Sequence, residues 1–70
     1  MKKFNIKWTN KYSEEVGYVG KLSLVNKCFI NTYDKADAKK YVSEKAANNE
    51  IARLVEFGEA ENNNFEVVEA

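Results

Sequence analysis

The sequence of 70 residues contains no histidine and a single cysteine, Cys28. General acid–base catalysis draws most often on histidine, and zinc sites of the common Cys/His kinds or an intrachain disulfide need side chains that this chain does not have. We therefore expect no enzymatic activity, no catalytic residues, no metal and no cofactor. Cys28 fits a reducing cytoplasm and is interpreted as a small packed residue of the core or sheet.

Long apolar runs are also missing. Lys2 and Lys3 look like the charged start of a signal peptide, but no apolar run of about 7–15 residues follows them. No segment approaches the roughly 18 apolar residues that span a membrane. We expect a cytoplasmic protein without membrane contact, folded as one small domain over residues 1–70.

The chain has no net charge, because eleven basic residues balance eleven acidic ones. Residues 1–45 carry ten lysines against five acidic residues, whereas residues 46–70 carry one arginine against six glutamates. Zero net charge gives no general attraction to nucleic acid. A chain polarised in this way either folds its two ends against each other or attracts copies of itself, so a homodimer is one of two open outcomes.

Three stretches have the alternation of half-buried strands. In the first, Phe4, Ile6 and Trp8 alternate with polar residues. In the second, Val16, Tyr18, Leu22 and Leu24 share one phase, while Lys21 and Ser23 take the other. The third is the segment "CFINTY" from Cys28 to Tyr33, and Phe65, Val67 and Val68 mark a short closing strand.

The connection between the second and third strands is predicted to be a two-residue hairpin loop, Asn26-Lys27, because Asn tolerates positive φ. This register pairs Leu22 with Asn31 and Gly20 with Tyr33, whose ring would cover the glycine. It also turns Asn31 towards the core. Either Asn31 is hydrogen-bonded near the end of the sheet, or the register is shifted.

The helical region is predicted to be broken near Ser43. Asp34 is a good N-cap, but in one helix from there to Phe57 Tyr41 and Val42 would lie nearly opposite Ile51 and Leu54. Two segments resolve this conflict: a short one over residues 35–42, and a longer amphipathic helix that starts at a Ser43 N-cap and stops at Gly58.

The glycine-rich stretch "EVGYVGKLSLV" resembles a ligand loop only superficially. A phosphate loop has four residues between its first glycine and the Gly-Lys pair, a hydroxyl residue directly after lysine, and a helix starting there. Here two residues separate Gly17 from Gly20, Leu22 precedes Ser23, and a strand pattern surrounds them. The GXXG clamp of nucleic-acid-binding KH domains joins two helices, so this interpretation also fails.

The sequence does suggest a partner surface. If the phase with Phe4 and Tyr18 faces the helix, the other sheet face presents lysine and hydroxyl side chains, which is one footprint of nucleic-acid binding and also an ordinary solubilising surface. Exposed tyrosines near the hairpins are typical anchors of protein interfaces. The candidate surface residues are Lys7, Tyr12, Lys21, Ser23 and Tyr33.

The pattern "FINTYDKADAKKYVSEKAANNEIARL" followed by "FEVVEA" is similar in composition to short proteins of bacteriophages and mobile elements of low-GC bacteria. This resemblance implies an accessory or inhibitory protein that binds a host factor, and it assigns no functional residues.

Together these patterns predict an α+β domain with strands and helix in the order β-β-β-α-β, in which the helix packs on one face of a small antiparallel sheet. The function predicted first is a non-enzymatic protein-interaction module whose partner is another protein. The alternative is a nucleic-acid-binding module that uses the lysine-bearing sheet face.

Overall fold

A computed structural model describes residues 2–70. Its strands are β1 (Phe4–Asn10), β2 (Val16–Ser23), β3 (Cys28–Thr32) and β4 (Asn63–Glu69), and its helix is α1 (Glu44–Glu56). Two short 3₁₀ turns, Lys35–Asp37 and Glu59–Glu61, flank the helical region. The predicted α+β fold with β-β-β-α-β order is confirmed.

The four strands form one antiparallel sheet in the order β3-β2-β1-β4. The first and last strands pair along their full length, from Phe4 opposite Glu69 to Asn10 opposite Asn63. A strand from the lysine-rich part of the chain thus lies beside a strand from the glutamate-rich part, and the homodimer stays a prediction. Within residues 2–70 there is one ion pair, in which Lys39 Nζ lies 3.1 Å from Glu50 Oε1.

The predicted break in the helical region is confirmed by its caps. The Asp34 carboxylate accepts a hydrogen bond from the Ala36 N–H (2.9 Å), and the Ser43 hydroxyl accepts one from the Ala46 N–H (3.1 Å). These bonds satisfy N–H groups that have no partner within the helix. Gly58 has a φ of 86°, a left-handed conformation that glycine adopts without steric cost, and α1 stops just before it.

The segment between the two caps is mostly extended, which corrects the prediction of a short helix over residues 35–42. Only Lys35–Asp37 is helical. The Lys39 N–H then donates to the Val19 carbonyl (3.1 Å), and Tyr41 exchanges two backbone bonds with Phe4. Tyr41 is buried in the core, whereas Val42 is exposed.

The hydrophobic core lies between α1 and one face of the sheet, named here the helix face. Its buried side chains come from β1, β2, α1 and the segment before α1, and partly buried Phe4, Leu22, Phe29, Phe65 and Val67 pack around them. The buried members are Ile6, Trp8, Val19, Tyr41, Ala47 and Leu54. The opposite side of the sheet is named the outer face.

The predicted phase of β2 is wrong for its first half. Lys7 stands opposite Tyr18 and Trp8 opposite Gly17, so Tyr18 shares the outer face with Lys7, and Val19 is the buried residue. A bulge between Val19 and Lys21 reverses the alternation, because it adds one residue to β2. Only beyond the bulge does Leu22 face the helix, as predicted.

The predicted β2–β3 register is also wrong. Ser23 pairs with Cys28 and Leu22 with Phe29, so four residues, 24–27, form the connection instead of Asn26-Lys27 alone. Leu24, placed in the core by the sequence pattern, is exposed in this connection. Gly20 therefore does not lie opposite Tyr33.

Candidate functional site

Aromatic rings occupy the end of the helix face nearest the β1–β2 connection. Trp8 is at their centre, with ring centroids 6.3 Å from Phe29 and 5.8 Å from Tyr33. Phe29 also meets Phe65 edge-to-face at 5.5 Å. These distances and angles are those that the quadrupoles of aromatic rings favour, so the rings stabilise one another where α1 does not cover the sheet.

Trp8 is held in place from below and from its polar edge. A Cβ atom at Gly17 would lie 2.6 Å from Trp8 Cζ2, so only glycine leaves room for the indole ring. The indole Nε1–H donates to the Tyr18 carbonyl (3.1 Å). The side chain is 3% exposed, which confirms the interpretation of Trp8 as a core residue.

An open cleft of about 510 Å³ adjoins this aromatic cluster. Its lining combines two aromatic rings, three amides, two carboxylates and the aliphatic residue Ile30, and it contains no basic residue. The lining residues are Trp8, Asn10, Glu15, Phe29, Ile30, Asn31, Glu59 and Asn63. The cleft is acidic and amide-rich at its rim and aromatic at its floor.

Tyr33 and Glu15 meet at the rim of the cleft. The Tyr33 hydroxyl donates to Glu15 Oε2 at 2.7 Å, which fixes one oxygen of the carboxylate. This hydrogen bond, assisted by desolvation and by the negative charge of Glu15, raises the pKa of Tyr33 above its ordinary value of 10.0. Tyr33 is 65% exposed, so the pair is accessible to a partner.

The loops on both sides of the cleft are ordered by local hydrogen bonds. The Asn10 side-chain oxygen accepts from the N–H groups of Tyr12 and Ser13 (both 2.9 Å), and the Asn10 N–H donates to the Glu15 carbonyl. Across the cleft, Asn63 Nδ2 donates to the Glu59 carbonyl (3.2 Å). Each carboxylate thus projects from a backbone turn that a neighbouring asparagine holds.

The strand β3 borders the cleft and forms one edge of the sheet. Ile30 stands opposite Lys21 and so points to the outer face, and we infer that its main chain is the part that lines the cleft. In the described part of the chain, β3 makes backbone hydrogen bonds to β2 and to no other segment. The side of β3 turned away from β2 is named the β3 edge.

The two edges of the sheet differ in charge. The strand β4 carries two exposed glutamates, Glu66 and Glu69, and charges of this kind discourage pairing with another strand. The strand β3 has no charged residue, and Ile30 is exposed on it. Next to it, Leu24 and Val25 are exposed, the latter by 92%. Of the two edges of the described sheet, the β3 edge is thus the one that has no charged residue and an exposed apolar side chain.

The structure does not bring the five predicted surface residues together. Lys7, Lys21 and Ser23 share the outer face, as expected from the sequence, although Lys7 there stands between Tyr18 and Glu66. Tyr12 is 78% exposed in the β1–β2 connection. Tyr33 lies on the helix face beside Trp8.

The outer face is partly covered. Asn5 alternates with the core residues of β1, yet it is fully buried, and its Nδ2 donates to the Lys39 carbonyl (2.9 Å). The segment 39–41 therefore packs against the start of β1, where its backbone bonds to Phe4 and Val19, and Lys7, Tyr18 and Lys21 lie beyond it.

Sequence reasoning did not find the cleft residues Glu15, Asn31 and Glu59. Glu15 and Glu59 read as ordinary surface carboxylates, which glutamates nearly always are. Asn31 gave the one useful signal: a polar residue in the inward phase of a strand, which here lines an open cleft.

Residues 2–70 contain no group of three histidine, cysteine, aspartate or glutamate side chains placed to hold a metal ion. None of their helices has the length and apolar character that crossing a membrane requires. Cys28 is a half-buried residue at the start of β3, opposite Ser23.

Comparison with protein-family models, with curated proteins and with solved structures found no match for the chain. The likeness to phage and mobile-element proteins therefore stays a prediction from composition.

Proposed function

We propose that this chain is a protein-binding domain and that its binding surface is the cleft together with the β3 edge. The observation that carries this proposal is the position of the β3 edge, which has unpaired backbone, no charge and a direct border with the aromatic cleft. Sheet edges of this kind accept extended peptide segments as an additional strand. Exposed apolar side chains at Leu24, Val25 and Ile30 extend the same surface.

The shape of the cleft favours a polypeptide over a small molecule. Its volume of about 510 Å³ is within the range of roughly 300–1,000 Å³ for small-molecule pockets. Such pockets, however, enclose most of the surface of their ligand, whereas this cleft is open and continues onto a strand edge. A ligand that uses both features is an extended chain with side chains on alternate faces.

A random-peptide library displayed on yeast tests the proposal. We expect the wild-type protein to enrich peptides and the variant Ile30→Lys to lose this enrichment, because a lysine on an edge strand opposes strand addition. Val42→Lys is the matched control, since Val42 is also an exposed β-branched residue but lies outside β3. Two results would contradict the proposal: no peptide enriched by the wild-type protein, or the same peptides enriched by the Ile30→Lys variant.

Nucleic-acid binding is the alternative function, and the outer face supports it. Lys7 and Lys21 share that face with Tyr18, and an aromatic ring among lysines suits the stacking of unpaired bases. We expect no affinity for a poly(dT) oligonucleotide at low salt if the protein-binding proposal holds. Affinity that falls steeply with salt and is lost in Lys7→Gln/Lys21→Gln would instead support the alternative.

A further inference from the structure

We propose that the occupant of the β3 edge is an extended segment with a lysine or arginine side chain that enters the cleft. This inference rests on the proposed function and adds the chemistry of the partner. Its basis is charge: the cleft is lined by Glu15 and Glu59 and by no basic residue. A cation placed there lies between two carboxylates and beside the half-buried ring of Phe29.

The alternation of β3 determines which side chains of the added strand reach the cleft. Asn31 lines the cleft on the helix face, and Ile30 and Lys21 oppose each other on the outer face. Residues opposed in neighbouring strands share a face, so every second residue of the added strand points into the cleft beside Asn31. The residues between them lie next to Ile30, close to the positive charge of Lys21.

The Glu15 carboxylate is already oriented for this contact. One of its oxygens is fixed by the Tyr33 hydroxyl at 2.7 Å, so a bound cation meets a carboxylate that loses little further conformational freedom. The ring of Tyr33 in turn packs edge-to-face against the buried ring of Trp8 at 62°, which holds its hydroxyl beside Glu15.

A second copy of this chain is the competing occupant of the β3 edge. Pairing of β3 with its own copy would extend the sheet and bring two acidic clefts onto the same side. Like charges brought together in this way disfavour the pairing, whereas a basic segment is attracted. Charge complementarity therefore favours a basic partner over self-association.

Three blocked nonapeptides of alternating threonine and valine, with lysine, glutamate or norleucine at the centre, test the inference. Each is titrated into ¹⁵N-labelled protein, and the amide shifts of residues 28–33 and the Trp8 indole N–H are followed. We expect the lysine peptide to bind tightest and the glutamate peptide weakest, with the shifts concentrated on β3.

Variants of the cleft carboxylates locate the effect. Glu15→Gln and Glu59→Gln should each weaken the lysine peptide by about two- to fivefold, the range for exposed ion pairs, and leave the norleucine peptide unchanged. Glu56→Gln is the control, because Glu56 is exposed on α1 outside the cleft and should change neither peptide.

Other results would overturn the inference in distinguishable ways. Equal affinity for the three peptides would refute the basic side chain but leave the protein-binding proposal intact. Shifts that spare residues 28–33 would refute the β3 edge as the docking strand. A dimer seen by sedimentation of the free protein and abolished by Ile30→Lys would make a second copy the occupant.

Discussion

The half of the helix face that α1 covers and the half that it leaves open are built from different side chains. In the covered half, Ile6 and Val19 pack against Ala47 and Leu54, and all four are fully buried. In the open half, Trp8, Phe29 and Tyr33 contact one another through their ring edges, and the amides and carboxylates of the cleft surround them. Aliphatic side chains need a cover to leave water, whereas these aromatic rings partly cover one another.

This difference explains how so small a domain leaves part of its sheet open. The 13-residue helix α1 is about 20 Å long at 1.5 Å per residue, and it packs mainly against β1 and β4 rather than β3. The side chains of the cluster close the core beside β3. The same cluster is then available as the floor of a binding surface.

The largest predicted effect is the loss of stability on replacing Trp8, which belongs both to the core and to the aromatic cluster. Trp8→Ala should lower the free energy of unfolding by about 3–5 kcal/mol, as for other buried large aromatics, which is enough to unfold a small domain. Tyr33→Ala should leave the fold intact, because Tyr33 is mostly exposed. Urea denaturation followed by circular dichroism measures both. A folded Trp8→Ala protein that has lost its peptide ligands would show that the ring serves binding more than the core.

A steric test of the open half is Gly17→Ala. The added Cβ would approach Trp8 Cζ2 to 2.6 Å and the Thr32 carbonyl oxygen to 2.9 Å, so the ring or the strand must move. We expect a loss of about 1–3 kcal/mol, typical of overpacked sites, together with a shift in tryptophan fluorescence. Unchanged stability and fluorescence would mean that the indole ring does not lie over Gly17.

The covered half can be weakened through the start of α1. Ser43→Ala removes the hydroxyl that accepts from the Ala46 N–H, and the expected loss in urea denaturation is about 1 kcal/mol. Ser43→Asp is the matched control, because aspartate also caps helices and favours their positive end, and it should retain the stability. Equal losses of stability in the two variants would show that the Ser43 side-chain cap does not determine where α1 begins.

The smallest expected effect is a change in titration at the open half. The neutral Tyr33 hydroxyl donates to Glu15 and its pKa is raised, so the hydrogen bond contributes to stability below the ordinary tyrosine pKa. That contribution is lost as the pH rises through the higher pKa of the folded protein. Glu15→Gln should lower the pKa of Tyr33, measured by NMR of its ring carbon, and Glu14→Gln should not. An unchanged pKa in Glu15→Gln would refute the Tyr33–Glu15 contact.

The sequence by itself determined the features that depend on neighbours within about four residues. The Asp34 and Ser43 caps bond to N–H groups two and three residues away, and Gly58 ends the helix through its own backbone conformation. The alternation of β1 is unbroken, so its inward residues were also predicted correctly. Helix caps and a regular alternation of apolar and polar residues can be predicted directly from the sequence.

Tertiary structure decided the rest, because it depends on contacts between distant residues. The phase of β2 is set by Trp8, which leaves room only for Gly17 beneath it, and by the bulge at Gly20, where a strand glycine signals an irregularity but not the register that results. The pairing of β4 with β1 and the packing of α1 mainly against these two strands are further choices of this kind. The cleft also depends on tertiary structure. Glu15 and Glu59 lie 44 positions apart in the chain, and they line one cleft because the sheet places their turns on the same side.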